Sequence, residues 1–325
     1  MKYFTFINFY KFINFTKNLF AFVVSRISKK PYIYGKPSFA SFELSSHCNL
    51  KCPQCDVGNL LTNRKNNFLP YDNFCSIIDE IGTTLLDAIF YFQGEPLLNK
   101  KFAEYISYAK QYNIYAITST NGQLIDKVTA KNIVASGLDR IIISIDGTTQ
   151  EVYEKYRRGG ELSKAIEAIK FINEAKKELN SKTPCIEAQF IVFKFNEHQI
   201  EDFRRLAPMW GADKISIKSA QIHQPNKNKD IITTINKYSR YEEKNGMWKI
   251  KKSFTHACLR AWTGVVISAD GNVLPCCFDK QEKYMYDNIN KDSIENIWKN
   301  KKSIDLRNKL LTNRASFDMC CNCNE

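Results

Sequence analysis

Residues 114–147 read IYAITSTNGQLIDKVTAKNIVASGLDRIIISIDG, and this stretch decides the fold. Residues 114–119 are a short β-branched run, 127–136 place apolar side chains three and four apart, and 140–145 return to a β-branched run. That is a strand, a helix and a strand, which predicts two parallel strands joined by a right-handed crossover. Working outward, strand patterns at 41–45, 88–92, 186–193 and 214–218 alternate with helix patterns at 71–81, 100–112, 162–179 and 197–210. Such repeats predict an α/β protein with a parallel sheet, either barrel-like or doubly wound. In both architectures the chemistry collects just after the strands.

The chain has 325 residues, 44% of them hydrophobic, with a net charge of +13 and 11 cysteines. This excludes a disordered tail, a collagen-like repeat and a small disulfide scaffold, and the length suits one large domain plus a smaller one. Three cysteines fall within residues 48–55 and six within 258–323. Clusters of this kind, with no secretory leader, point to metal ligation in a reducing cytoplasm. Residues 1–30 are aromatic and basic, but Lys11 and Lys17 break the apolar run and no small-residue cleavage site follows. The segment therefore reads as neither a signal peptide nor a membrane span. Two readings of it stay open: one or two helices packing Phe, Ile and Leu on the main domain, or a peripheral, in-plane contact with an anionic membrane. Positive charge is dispersed along the chain rather than gathered in a block, which argues against a nucleic-acid partner.

The first cysteine cluster follows the first strand: residues 42–58 read FELSSHCNLKCPQCDVG, with spacing Cys48-x3-Cys52-x2-Cys55. Three thiolates on one short loop can converge on one face of a cubane cluster and leave its fourth iron without a protein ligand. A zinc knuckle is the alternative, but it would want a fourth ligand, and His47 is awkwardly adjacent to Cys48. The second constellation is Cys258-x12-Gly271-x4-Cys276 followed by Cys320-x2-Cys323. Asp270-Gly271-Asn272 is a hairpin signal between the apolar runs 263–268 and 273–274, so Cys258 and Cys276 flank a hairpin, and a helix at 293–301 brings the tail back over it. Four thiolates from three segments could ligate one iron–sulfur cluster or one structural zinc. Cys277 and Cys321 leave the register open by one residue at each doublet; the spacings to Gly271 and Cys323 favour Cys276 and Cys320. Cys75 and Cys185 read as small buried hydrophobes. His198 reads as a surface residue. His223 and His256, in or beside the Lys- and Asn-rich segment 221–253, face either the active site or water, and Lys194 and Lys218 contact either substrate or solvent.

The company the first loop keeps identifies it further. Gln93-Gly94-Glu95-Pro96 follows the second strand, Ser119-Thr120-Asn121-Gly122 the third, and Ser144-Ile145-Asp146-Gly147 the fourth. With the Cys48-x3-Cys52-x2-Cys55 loop, these segments resemble the radical S-adenosylmethionine (SAM) superfamily over about residues 36–220, with Gln93 replacing the first glycine of its Gly-Gly-Glu-Pro motif. The resemblance implies a partial (β/α)6 TIM-like barrel and a SAM-binding [4Fe-4S] cluster on Cys48, Cys52 and Cys55. It also implies SAM contacts from Gln54 through its backbone, from Gly94 and Glu95 to the methionine ammonium, and from Asn121 and Ser144, with Arg157 clamping the cofactor carboxylate. The cysteines of the last third resemble the SPASM extension in its shortened, twitch-like form. Because the sequence ends at Glu325, this implies one auxiliary [4Fe-4S] cluster on Cys258, Cys276, Cys320 and Cys323.

The organisation expected is an extension at 1–35, the radical SAM core at 36–220, a linker at 221–253 and a small C-terminal cluster-binding domain at 254–325. Enzymes of the family cleave SAM reductively and use the 5′-deoxyadenosyl radical to take hydrogen from a substrate carbon, with flavodoxin- or ferredoxin-type proteins as reductants. The expected substrate is a small molecule or carbohydrate-type precursor, since no peptide-recognition domain precedes the barrel. A peptide or protein maturase is the enzymatic alternative, and a non-catalytic zinc- or cluster-binding module is the other class.

Overall fold

The protein is described from a computed structural model, which covers residues 9–62, 64–251 and 257–323; His256 lies outside them, as do the first eight residues of the extension. Helix α1 (Phe9–Ser28) leads to β1 (Phe39–Phe42), α2 (Tyr71–Ile81), β2 (Asp87–Ile89), α3 (Phe102–Lys110), β3 (Tyr115–Thr120), α4 (Lys127–Ala135) and β4 (Arg140–Ser144). Two helices, α5 (Gln150–Tyr156) and α6 (Leu162–Glu178), then precede β5 (Cys185–Val192), α7 (Ile200–Trp210) and β6 (Lys214–Ser219). These six strands lie side by side in chain order and all are parallel. A strand order without a reversal puts every right-handed crossover on the same face, so the sheet curls into a partial barrel and is not doubly wound. Period-2 alternation then sorts the side chains. Ala40, Phe42, Ala88, Phe90, Ile141 and Ile143 are buried in the core that the helices cover, while the intervening Ser41, Asp87, Ile89 and Tyr91 border a cavity on the other face.

The extension is one helix, and it packs Phe15 against Phe39 and Phe22 against Trp262 on the main domain, but its most buried face is polar. Its buried residues are Lys11, Asn14, Asn18, Ala21 and Ser25, while Phe9, Phe12, Phe20, Val23 and Ile27 are exposed. The reason is the surface beneath it. Lys11 Nζ donates to the Tyr112 and Asn113 carbonyls at 2.7 and 2.9 Å, and Asn14 and Asn18 Nδ2 donate to the Lys36 carbonyl and Ser38 Oγ. Backbone acceptors at the amino ends of β1 and β3 need donors, and polar side chains supply them.

The segment expected as a linker is structured. It carries the hairpin β7 (Tyr241–Lys244) and β8 (Met247–Ile250), and its Ile222, Ile232 and Tyr241 form an apolar cluster with Leu50, Cys52, Tyr156 and Phe193. The last part begins with α8 (Arg260–Thr263) and β9 (Gly264–Ile267), which pairs parallel with β1 and extends the barrel sheet. The expected hairpin follows as β10 (Asn272–Leu274), antiparallel to β9, with β11 (Asp287–Asn288) at the edge. Gly271 turns it with φ +80°, and a Cβ there would press on Ile289. The expected helix is interrupted at Asn300: α9 (Ile294–Lys299) stops there, and the Asn300 side chain caps α10 (Lys301–Thr312) by accepting from Ser303 N–H.

Candidate active site

The cysteine loop sits just beyond the carboxyl end of β1, against the turns that follow β2, β3 and β4. Cys52 is buried, and Cys48 and Cys55 are partly exposed. The Cys48 sulfur accepts the Leu50 N–H at 3.4 Å, and the Cys55 N–H donates to the Cys52 carbonyl at 3.1 Å, so the loop winds tightly. Burial, with Glu95 nearby, pushes the Cys48 thiol up to about 12; burial also raises Cys52, although Arg157 pulls it back. Buried thiolates of this kind need positive charge beside them, and iron ions provide it. Among the described residues, no three Cys, His, Asp or Glu side chains crowd closely enough to share one metal ion. Three thiols on one short loop are a donor set that suits a cubane, which carries each thiolate on a separate iron.

The motif residues come together around this loop, except Ser144. Gly94 passes directly beneath it: a Cβ there would overlap the Ser45 carbonyl oxygen and lie 2.6 Å from that of His47, while Glu95 N–H donates to the His47 carbonyl at 2.8 Å. Glu95 is buried, which raises its carboxyl above the usual range, and the group is partly occupied within the protein. Its Oε1 accepts from Thr120 Oγ1 at 2.6 Å and Leu97 N–H at 3.2 Å, and its Oε2 from Asn121 N–H at 2.9 Å. Asn121 Nδ2 donates to Asn49 Oδ1 at 2.8 Å and lies 3.7 Å from the Cys48 sulfur. Ser144 is buried at the end of β4, in register with Gln189, and among the described residues it makes no hydrogen bond to the cysteine loop.

Arg157 and Gln54 have partners that sequence did not reveal. Arg157 Nε donates to Asp146 Oδ2 at 2.6 Å, and Nη1 stands 3.8 Å from the Cys52 sulfur. Burial opposes the guanidinium charge, but Asp146 outweighs it and holds the arginine firmly charged. Gln54 uses its side-chain oxygen to accept His223 N–H at 2.8 Å, and His223 Nε2 lies 2.9 Å from Asp56 Oδ1. His223 therefore faces the cysteine loop. The hairpin that follows it had a signal in the sequence, Asn245-Gly246, and both residues take positive φ.

The C-terminal cysteines separate by environment. Cys258, Cys276, Cys320 and Cys323 line one small closed cavity with Arg260 and Arg314, and Arg314 Nη2 donates to the Cys323 sulfur at 3.3 Å. Neither doublet neighbour lines it: Cys321 is exposed, and Cys277 accepts from Arg260 Nη1 at 3.1 Å. Cys276 and Cys277 also border a second cavity of about 620 Å³, whose wall runs through Asp87, Ile89, Tyr91 and Phe92.

A partial barrel with three cysteines on the loop after β1 defines a class, and the sequence matches it. Residues 42–207 match the radical SAM superfamily and residues 258–324 match an iron–sulfur cluster-binding domain, SPASM. The chain belongs to the radical SAM superfamily and is an enzyme; its cofactors are SAM, the [4Fe-4S] cluster that binds it, and auxiliary iron–sulfur. It is similar to mycofactocin maturase MftC of Mycobacterium ulcerans, with 24% identity over 81% of this chain and 75% of that protein. It is also similar to a tungsten-containing aldehyde ferredoxin oxidoreductase cofactor-modifying protein of Pyrococcus furiosus, with 23% identity over 86% of this chain and 85% of the other. Among solved structures, SuiB of Streptococcus suis bound to its precursor peptide SuiA shares the fold, with TM-score 0.64 and 16% identity over 89% of this chain and 70% of SuiB.

Proposed function

We propose that this enzyme modifies a small-molecule or carbohydrate-type group seated in the 620 Å³ cavity that β1, β2 and β9 wall and Cys276 borders. The observation that carries the reading is that wall. It runs from Asp87 and Ile89 through Tyr91 and Phe92, at the strand end that leads into the Gly94-Glu95 turn, across to Cys276, and it includes Ser41 and Arg260. Phe39, Ile89, Phe92, Leu259 and Val265 make most of the wall apolar, and the hydroxyls, carboxylate and guanidinium set among them can orient a small organic group by a few polar contacts. In this reading Cys48, Cys52 and Cys55 hold the SAM-binding cluster. Cys258, Cys276, Cys320 and Cys323 hold one auxiliary cluster, with Arg260 and Arg314 offsetting its negative charge. When bound, cluster and SAM supply an electron and a hydrogen-abstracting radical, with a flavodoxin- or ferredoxin-type protein as the electron source.

The chain's own residues then orient the reactants. Glu95 Oε2, with one backbone donor, can accept from an ammonium; Asn121 and Arg157 brace the loop at Cys48 and Cys52; and Ser144 offers its hydroxyl from β4. Maturation of a peptide is the second reading. The maturase and cofactor-modifying relatives favour it, as does the peptide bound to SuiB, and a target side chain would enter the same cavity. Reduced, cluster-loaded protein is expected to form 5′-deoxyadenosine from SAM, and Cys52→Ala to form none. Undiminished product from Cys52→Ala overturns the assignment. Deuterium transfer into 5′-deoxyadenosine from a labelled sugar-type substrate, but not from a labelled peptide, supports the first reading; the reverse supports the second.

A further inference from the structure

We propose that α1 is an in-plane membrane anchor that docks this enzyme on an anionic bilayer through its outward apolar face. Positions 9, 12, 16, 20, 23 and 27, three and four apart, form one stripe along the helix. Phe9 is 72% exposed, Phe20 62% and Ile27 79%, with Phe12 and Val23 also exposed. Thr16 turns its hydroxyl onto the Ile13 carbonyl at 2.8 Å, so the one polar member of the stripe is satisfied within the helix. The stripe cannot roll inward. Lys11, Asn14 and Asn18 hold the opposite face by bonds to residues 36, 38, 112 and 113, and Ser25 is fixed by Tyr32 N–H at 2.8 Å and Trp262 Nε1 at 3.2 Å. Among the described residues Tyr34 lies against one member, Phe20, and the stripe otherwise stays open.

Charge selects the occupant. No Asp or Glu precedes Glu43, and Lys17, Arg26, Lys29 and Lys30 are exposed along and just past the helix. A second copy docking by the same face would set cation against cation, whereas anionic headgroups complement them. Tyr34, stacked on Phe20 at 5.9 Å, adds an amphipathic ring at the level where headgroup meets acyl chain. No described helix is long and apolar enough to cross a membrane, so the contact lies in the interface. The anchor bonds to residues just ahead of β1 and β3, at the amino ends of the barrel strands, and the cysteine loop follows the other end of β1. Docking therefore turns the active-site mouth away from the bilayer and leaves it open to substrate and reductant.

The test is cosedimentation of the full chain with phosphatidylcholine vesicles, with and without phosphatidylglycerol, at low and high salt. The wild type is expected to pellet with the anionic vesicles at low salt. Phe20→Ser with Ile27→Ser should weaken that partition about a hundredfold, and Lys29→Gln with Lys30→Gln about thirtyfold, both with unchanged melting and unchanged 5′-deoxyadenosine formation. A wild type that stays in the supernatant, or variants that bind like it, would overturn the proposal. So would a dimer in sedimentation velocity that Phe20→Ser with Ile27→Ser converts to monomer, because the face would then belong to a second copy.

Discussion

Replacing Arg157 by methionine removes the guanidinium from Asp146, and the cost can be worked from the geometry. Asp146 is fully buried; its Oδ2 accepts Arg157 Nε and its Oδ1 accepts Ile191 N–H, each at 2.6 Å. Without the arginine, the carboxylate relieves its burial by taking up a proton. From an unfolded pKa of about 3.9, that uptake costs about 4 kcal/mol at pH 7 and about 1.5 kcal/mol at pH 5. The sign follows from proton counts: the folded variant holds a proton that its unfolded chain has released, so its deficit grows as pH rises from 5 to 7. Loss of packing over Tyr156, where the guanidinium lies 5.2 Å from the ring centre, adds a part that pH does not change. Anaerobic urea unfolding followed by circular dichroism should show the deficit roughly doubling over that interval. The Asp146→Asn/Arg157→Met double variant, with no buried charge left, should recover most of the loss at pH 7. A deficit that is flat with pH, or a double variant no better than Arg157→Met, would refute the reasoning.

Cys276→Ala is expected to lower bound iron from about eight to about four atoms per chain while Cys277→Ala leaves it unchanged; iron analysis after anaerobic reconstitution decides between the doublet members. Burial pushes the Asp87 carboxyl up to about 6 against the pull of Arg260. The folded state therefore keeps a proton that the unfolded chain loses, and stability falls by about 2 kcal/mol as pH rises from 4 to 6. Asp87→Asn should abolish that part, read as a widening gain over wild type in urea midpoints across the same interval. Gly94→Ala drives a methyl into the Ser45 and His47 carbonyls, and should cost about 2–3 kcal/mol in thermal unfolding.

What sequence revealed, and what it hid, follows the range of the interactions involved. The expected elements at 114–119, 127–136 and 140–145 appear as β3, α4 and β4 within one residue at each end, because period and burial agree there. The first strand was expected at 41–45 but forms at Phe39–Phe42. Its ladder is set by pairing with β2 and with the distant β9, which a local pattern does not show. Helix α5 went unread because its seven residues bury only Val152, Tyr153 and Tyr156, too few for a period to emerge. For α1, two readings stayed open because the face that is buried depends on carbonyls just over a hundred residues away. The cysteine spacings are local and were legible. The pairing of Arg157 with Asp146 and the contact of His223 with Asp56 exist only once the chain is folded.

The two cysteine sets belong to one rigid frame. Strand β9 pairs with β1 over four residues, so the cysteine loop and the hairpin before Cys276 are carried by adjacent strands of one sheet. Arg64 clamps Glu43, at the end of β1, and approaches Asp270 of the hairpin turn and Glu282 beyond it at 3.4 and 2.8 Å. Gln93 adds a further tie: its Nε2 donates to the Lys280 carbonyl at 2.7 Å, a bond that glycine, the usual residue of the motif, could not make. With these contacts packed and charge-paired, the wall from Tyr91 to Cys276 holds its shape. Residues 221–251 are different in kind. They meet the cysteine loop through His223 at Gln54 and Asp56 and through a small apolar cluster, and their hairpin pairs only with itself. Thr233 and Thr234 tie the same segment to Glu197, and Arg240 and Tyr241 tie it to Asn322, so it joins the cysteine loop to the C-terminal cysteines through side-chain bonds where the sheet joins them through its ladder.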